Sequence, residues 1–178
     1  LGKLPALRSL SLCGAGGSAE ALAAAKLKLE RLDFNKLSGK LPRETAPIIG
    51  PAYPGVTLIR LAQSEKLGAE DIAALSHFKS LHNFQPLAIL DPNAWAGLAA
   101  IPSLESISID RNPFSDHLLK VPSLTGITFG NVDVTDAGLL KLAALKKLKH
   151  IGLKPCPKVT EAGIAALKKQ RPDIQISR

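Results

Sequence analysis

Apolar and polar residues follow a short pattern that returns along the whole chain. It reads apolar-x-x-apolar-x-x-apolar-x-apolar, and it occurs in full at residues 4–12, 101–109, 121–129 and 145–153. Its last part alternates apolar and polar positions, as a strand with one buried face does, because successive side chains of a strand point to opposite faces. Each copy therefore predicts one short β-strand.

Further copies fill the remaining chain. They lie at residues 26–34, 53–61 and 78–86, with a partial copy at 174–176. The third apolar residue recurs every 20 to 27 residues, at Leu10, Leu32, Ile59, Phe84, Ile107, Ile127, Ile151 and Ile174. A period of this length indicates repeats that bury their apolar faces against one another. The chain is predicted to be one domain, residues 1–178, of seven or eight repeats.

Between the strands, several segments are predicted to return as short helices. Asp91, Thr135 and Thr160 are predicted N-caps, with Pro92 at the first helical position of its segment. Residues 37–55 contain four prolines and are predicted to be an irregular return loop, because proline disrupts a helix interior. The helical segments are residues 19–25, 69–75, 91–98, 135–142 and 160–167.

Two motifs carry a family resemblance. Residues 148–156, L-K-H-I-G-L-K-P-C, match L-x-x-L-x-L-x-x-N/C, and residues 104–112 end on the alternative Asn112. Residues 134–139 and 159–164 read V-T-D-A-G-L and V-T-E-A-G-I. The chain resembles leucine-rich repeat proteins of the cysteine-containing, ribonuclease-inhibitor-like type, with V-T-D-A-G-L units common in bacterial members. The resemblance implies a right-handed α/β solenoid, a horseshoe whose concave wall is a parallel sheet of seven or eight strands.

The outward position between the last two apolar residues is polar or small in every repeat. We expect a stiff curved sheet to present these side chains together to a macromolecular partner, in the first place a protein, without catalysis. Another face, or the proline-rich segment 42–54, is the alternative contact surface. The predicted surface comprises Ser11, Asp33, Arg60, Gln85, Ser108 and Thr128 in a central row, flanked by Arg31, Asn83, Asp110 and His150.

Two other functions remain as alternatives. A ubiquitin-ligase-type adaptor, or a secreted effector that mimics one, would use the same face. A nucleotide-binding enzyme would use Gly14, Gly16 and Ala19, which fit G-x-G-x-x-G/A, with Asp33 at the ribose position. However, the preceding strand at residues 7–12 carries polar residues, whereas the first strand of a dinucleotide fold is buried on both faces. The glycines are therefore predicted to form an ordinary turn.

The net charge of +8 comes entirely from residues 140–178, which hold ten Lys or Arg and two Asp or Glu. Nucleic-acid sites interleave such charge with stacking aromatics, but no aromatic residue follows Phe129. We interpret the basic tail as a solvated end, with nucleic-acid binding as the weaker alternative. No apolar run approaches the roughly 18 residues of a membrane span.

The chain contains no methionine and enters its first repeat at once. We therefore expect a piece of a longer protein, with upstream repeats or with end-to-end association through an uncapped first repeat. The compartment stays open between export and the cytoplasm.

No cofactor or metal site is predicted, since the histidines lack metal-ligand spacing and are interpreted as solvated surface residues. Cys13 and Cys156 lie six repeats apart, roughly 29 Å at about 4.8 Å per strand, and a disulfide tolerates about 7 Å between Cα atoms. Cys156 is predicted to pack in the ladder of the repeats, Cys13 to be a partly exposed thiol, and Trp95 to be buried between repeats. The histidines are His77, His82, His117 and His150.

Overall fold

In the part of the chain that the structure describes, eight strands form one parallel sheet and lie side by side in chain order. The computed structural model describes residues 6–12, 17–34, 41–61, 67–87 and 90–178. The architecture is an α/β solenoid with one strand per repeat, as predicted. The strands are β1 (Ser9–Ser11), β2 (Arg31–Phe34), β3 (Leu58–Leu61), β4 (Asn83–Pro86), β5 (Ser106–Asp110), β6 (Gly126–Gly130), β7 (His150–Lys154) and β8 (Gln175–Ser177).

The third apolar residues of the first seven repeats pair with one another across the sheet, from Leu10 in β1 to Ile151 in β7. The prediction for the last strand is wrong, because Ile176 rather than Ile174 pairs with Ile151. The backbone N–H of Gln175 donates to the carbonyl of Lys149 at 2.7 Å, and this bond sets Ile176 into register. The buried Ile174 precedes the strand.

Among the described residues, the return segments contain five α-helices: α1 (Ala19–Ala24), α2 (Pro42–Ala52), α3 (Ala69–Ala73), α4 (Asp136–Lys141) and α5 (Glu161–Gln170). The predicted N-caps of α4 and α5 are confirmed. The hydroxyl of Thr135 accepts from the N–H of Gly138 at 3.3 Å, and that of Thr160 from Gly163 at 3.1 Å. 3₁₀ helices cover Ala74–His77, Ala94–Ala100, Asp116–Lys120 and Leu142–Ala144.

The predicted helix start at Asp91 is wrong. The helix in this segment is the 3₁₀ helix beginning at Ala94. The carboxylate of Asp91 accepts from the N–H of Asn93 at 2.9 Å, and its carbonyl accepts from Ala94 at 2.8 Å. These two bonds make a turn, so Pro92 lies in that turn and not at a first helical position.

The prediction of an irregular loop over residues 37–55 is wrong for residues 42–52, which form α2. Pro42 occupies the first turn, where a missing N–H costs nothing. Pro47 and Pro51 both lie on the exposed face, where water can satisfy the carbonyls that their missing N–H groups leave free. The buried face follows helical spacing, at Pro42, Thr45, Ala46, Ile49 and Gly50.

The core lies between the inward side chains of the sheet and the return segments. Trp95 is 1% exposed, which confirms its predicted burial. Neighbouring returns approach closely at Gly97, where a Cβ atom would stand 2.2 Å from the carbonyl oxygen of Ala69. No helix within the described ranges is long and apolar enough to cross a membrane.

Candidate functional site

The candidate site is the open face of the sheet, defined as the side chains that point away from the core. The predicted central row lies in register over two runs of strands. Ser11, Asp33, Arg60 and Gln85 are paired across β1–β4. Ser108, Thr128, Gly152 and Ser177 are paired across β5–β8.

The predicted flanking residues fall on both sides of this row. Arg31, Asn83 and His150 occupy the position two residues before the central one in their strands, and Asp110 lies two residues after it. The four predicted flanking residues therefore belong to two lines of side chains, one on each side of the central row.

The first half of the open face, on β1–β4, carries large polar side chains that hydrogen-bond to one another. Arg31 donates from Nε to Oδ1 of Asp33 at 3.0 Å and from Nη2 to Oδ2 at 2.8 Å. This hydrogen-bonded carboxylate raises the pKa of the Arg31 guanidinium above its ordinary value. Arg60 donates to Gln85 at 2.6 Å, and Gln85 in turn donates to Asn83 at 3.4 Å.

The second half of the open face, on β5–β8, carries mostly small side chains and forms a depression of about 500 Å³. Gly126, Thr128 and Gly152 lie in it, and His150 and Lys154 stand at exposed positions along it. A Cβ atom on Gly152 would lie 3.1 Å from Cγ2 of Thr128. The absence of side chains at Gly126 and Gly152 therefore creates the space of the depression.

Asp110 is held at the edge of the face. Its carboxylate accepts from Nδ2 of Asn131 at 2.9 Å and from Nε of Arg111 at 3.0 Å. The bond from Asn131, followed by that from Arg111, lowers the pKa of Asp110. Arg111 and Asn131 both adopt left-handed backbone angles, with φ of 52° and 53°. The residues that directly follow β5 and β6 thus turn back, and their side chains donate to this carboxylate.

Apart from Thr128 and His150, the residues that line the depression were not among the predicted site residues. Ser106, Gly126 and Gln175 share the line of His150, whereas Lys154 shares that of Asp110. The signal was present, because these positions follow the same repeat period two residues before or after the central row. The prediction named His150 and Asp110 from these two lines, but not their neighbours on the adjacent strands.

The predicted ladder residues pack as expected. Asn112 is 2% exposed, accepts from the N–H of Leu90 at 2.8 Å and donates to the carbonyl of Asp110 at 2.9 Å. Cys156 is half-buried, with its Sγ 3.9 Å from the carbonyl oxygen of Phe129. Cys13, and with it the predicted distance between the cysteines, lies outside the described residues.

The glycine-rich stretch is described only from Gly17 onward, so Gly14 and Gly16 lie outside the described residues. Ser18 caps α1 by accepting from the N–H of Ala21 at 3.1 Å. Ala19, the last position of the nucleotide-type spacing, is a buried residue at the start of that helix.

The histidines lie where the repeat pattern places them. His150 is an exposed strand residue, and His82 directly precedes β4. His117 is only partly solvated, because the residue is half-buried and its Nδ1 is buried. Over the described ranges, no three or more His, Cys, Asp or Glu side chains come together as a metal site would require.

The basic tail is partly neutralised by acids of earlier repeats. Lys141 pairs with Asp116 at 2.6 Å, and Lys158 pairs with Asp133 at 2.9 Å. Within the tail, Asp173 receives both Lys149 and Arg171 at 2.8 Å. The charge excess of the sequence is therefore spread over several ion pairs.

Comparison with known proteins gives a likeness to solved structures only. No protein-family model matches the chain, and no curated protein matches it. A solved internalin (inlF) from Listeria monocytogenes is 14% identical, with a TM-score of 0.45, over 99% of this chain and 62% of the internalin chain. The chain thus spans less than two thirds of that protein. The solenoid architecture rests on the parallel strands of the described residues and on their repeated sequence pattern.

Proposed function

We propose that this chain is a non-catalytic interaction module that binds a protein partner on the open face of its sheet. The observation that supports the proposal is the line of polar and small side chains that lies in register over β1–β4 and again over β5–β8. A partner that lies along such a line can contact several repeats at once, which is how solenoids form extended binding surfaces.

The two halves of the face would contribute differently. In the first half, Arg31, Asp33, Arg60 and Gln85 are already held by mutual hydrogen bonds, so binding would order few additional side chains. In the second half, the depression beside Thr128 offers room for a side chain that protrudes from the partner. Since the face is poor in aromatic anchors, we expect moderate rather than very tight binding.

Photo-crosslinking from single positions tests the proposal. A photoreactive amino acid at Ser108 or Thr128 is expected to capture a protein partner in cells of the source organism. The same residue at Glu70 or Lys120, which are exposed in the return segments, should capture nothing at the same yield. Excess unmodified chain should compete the captured band away.

A blocking substitution sharpens this test. Thr128→Arg fills the depression and should weaken binding of the captured protein at least tenfold, about 1.4 kcal/mol, because the partner loses its contact surface there. Ala144→Arg, at an exposed position of a return segment, is the matched control and should bind normally. Equal capture from both faces, or unchanged binding by Thr128→Arg, would contradict the proposal.

We further propose the cysteine-containing repeat subtype, because Cys156 and Asn112 each follow the last outward residue of their strand by two positions.

The ubiquitin-ligase-type adaptor is distinguished by the identity of the captured protein. Calorimetry of Gly16→Val against common nucleotides tests the enzyme alternative. Salt-dependent retention on nucleic acid, lost on neutralising Lys146, Lys147, Lys168 and Lys169, would instead favour the nucleic-acid alternative.

A further inference from the structure

The last repeats leave a gap in the open face on β7. The outward residues of this strand are His150, Gly152 and Lys154, and the side chains of His150 and Lys154 are exposed. These two side chains stand about 13 Å apart along the strand, at roughly 3.3 Å per residue. Gly152 has no side chain, so its backbone is the floor of a notch whose two ends are His150 and Lys154. The notch lies within the depression of β5–β8.

Hydroxyl groups stand on both sides of the notch. Thr128 in β6 and Ser177 in β8 pair in register with Gly152. A Cβ atom on Gly152 would lie 3.2 Å from Oγ1 of Thr128, so this hydroxyl is turned toward the floor of the notch. Within the described ranges, neither hydroxyl makes a hydrogen bond with another residue, and the buried unpaired side-chain atoms are Trp95 Nε1 and His117 Nδ1. The Thr128 hydroxyl is therefore accessible and able to donate to a ligand.

The charge of Lys154 is not neutralised by the chain. Lys154 shares its line with Asp110, but Asp110 lies two strands away, roughly 10 Å at about 4.8 Å per strand, and its carboxylate is bonded to Asn131 and Arg111. Among the described Lys and Arg after residue 140, four make no side-chain hydrogen bond or ion pair, and of these only Lys154 lies in a strand. The four are Lys146, Lys147, Lys154 and Lys169. The counter-charge of Lys154 is therefore left to a partner.

The notch matches a single small anion that accepts hydrogen bonds from several sides. A carboxylate fits, because it is acceptor-only and its two oxygens take up to about four hydrogen bonds, and the ammonium and the two hydroxyls all donate. A nucleic-acid backbone would need a row of cations and stacking aromatics. The line of Lys154 instead holds Asp110 and Gly130 on β5 and β6, and no aromatic residue follows Phe129. These observations favour a carboxylate side chain over a phosphate backbone.

We propose that the notch receives an Asp or Glu side chain of the protein partner, whose carboxylate pairs with the ammonium of Lys154 and accepts from the hydroxyl of Thr128. This inference rests on the proposed function, since it names the chemistry of the partner on the same open face. In the first half of that face, Asp33 already holds Arg31, so the acidic segment of the partner lies over β6–β8. A neutral side chain in the notch would leave Lys154 without its counter-charge, which makes the contact selective.

Defined peptides test this chemistry without knowledge of the partner. The probes are a peptide of about ten alternating Ser and Glu residues and its counterpart with Gln for Glu. In the ¹⁵N-labelled chain, the backbone amide signals of Gly126, Thr128 and Gly152 are expected to shift saturably as the Glu peptide is added up to about 10 mM, a range suited to millimolar affinity. The Gln peptide should bind about fivefold more weakly. A carbodiimide, which couples an amine to a carboxylate in contact with it, should join the Glu peptide to Lys154 in preference to Lys146 and Lys147.

Variants of the notch test its two donors. Lys154→Glu should weaken binding of the Glu peptide at least about tenfold, because an exposed ion pair contributes up to about fivefold and the substitution also adds repulsion. Lys169→Glu, at an exposed position of α5, changes the net charge equally and should bind normally. Thr128→Val keeps the shape of the side chain, removes the hydroxyl and should weaken binding severalfold, whereas Thr57→Val, just before β3, should not.

The partner captured from Ser108 separates this proposal from the proposed function. Its binding should fall on Lys154→Glu, and replacing the coupled Asp or Glu of the partner by Lys should restore it. Capture from Ser108 with no effect of Lys154→Glu would overturn the acidic contact and leave the interaction module intact. Equal capture from both faces of the chain would instead contradict the proposed function itself.

Two results with the defined probes would also overturn the acidic contact. The first is equal binding of the Glu and Gln peptides, or coupling at Lys146 and Lys147 as strong as at Lys154. The second is tighter binding of an oligothymidylate of about ten nucleotides at the same residues, because the notch would then belong to nucleic acid.

Discussion

Arg171 shows how one side chain joins two repeats. Its guanidinium donates from Nη1 to the carbonyl of Leu145 at 2.9 Å and from Nη2 to that of Leu148 at 3.0 Å, in the turn before β7. Asp173 holds the other edge, accepting from Nε at 2.8 Å. Only a planar group with several N–H donors can serve these acceptors together.

We therefore predict that Arg171→Ala lowers the free energy of unfolding by about 2 kcal/mol, because hydrogen bonds to a largely buried charged group are lost. Arg171→Lys should recover little of this loss, since an ammonium is a point charge. Urea unfolding monitored by circular dichroism measures both. Lys169→Ala, at an exposed position of α5, is the control, and an equal loss there would refute the role of Arg171.

The same contact predicts a dependence on pH. Hydrogen bonds from Arg171 and then from Lys149 hold the pKa of Asp173 well below its usual value. A carboxylate with a depressed folded-state pKa stabilises the fold above its unfolded-state pKa of about 4, and this stabilisation is lost as the pH falls below that value. The melting temperature should therefore be flat from pH 7 to about pH 5 and fall below about pH 4. Asp173→Asn should be less stable at pH 7 and show a shallower acid decline, whereas an unchanged acid limb would contradict this account.

At the scale of elements, strands were easier to predict than returns. A strand of this solenoid is predicted by the alternation of apolar and polar residues over a few positions, such as Ile107, Ser108 and Ile109. The sequence did not predict the helix α2, because the four prolines of residues 37–55 disfavour a helix interior, although Ala46, Ile49 and Tyr53 follow helical spacing. The hydroxyl of Tyr53 donates to the carbonyl of Leu22 near the end of α1, so packing against the previous repeat supports a helix that propensity alone disfavours.

Close approach of returns also gives an element-scale prediction. Gly97→Ala would bring a Cβ against the backbone of Ala69, so we expect a loss of about 2 kcal/mol or more in unfolding free energy from overpacking. Gly17→Ala is the matched control, since no atom lies within 4 Å of its added Cβ. Thermal unfolding of both variants decides the matter, and similar melting temperatures would exclude a tight contact at Gly97.

At the scale of the whole molecule, each repeat is stabilised by its neighbours. In the described sheet, β1 pairs only with β2, and β8 only with β7. The first strand keeps Leu10 half-buried rather than buried. Unpaired strand edges invite further strands, so end-to-end association stays a prediction about this chain.

Sedimentation across a dilution series measures this association. We expect the weight-average mass to rise with concentration, because apolar side chains of the first repeat such as the half-buried Leu10 are covered on contact. Leu10→Lys should suppress the rise, while Ser11→Lys, on the open face of the same strand, should not. A monomer at all concentrations would show that the repeat is adequately covered by its own chain.

The sequence by itself determined the repeat period, the inward and outward lines of the sheet, and the caps at Thr135 and Thr160, because each depends on residues near in sequence. Only the tertiary structure decided the register of β8, the helix α2, the division of the open face into a polar and a small-residue half, and the notch between His150 and Lys154. These features depend on which side chains of different repeats contact one another. The spacing of residues along the sequence does not specify those contacts or the cavities that they leave.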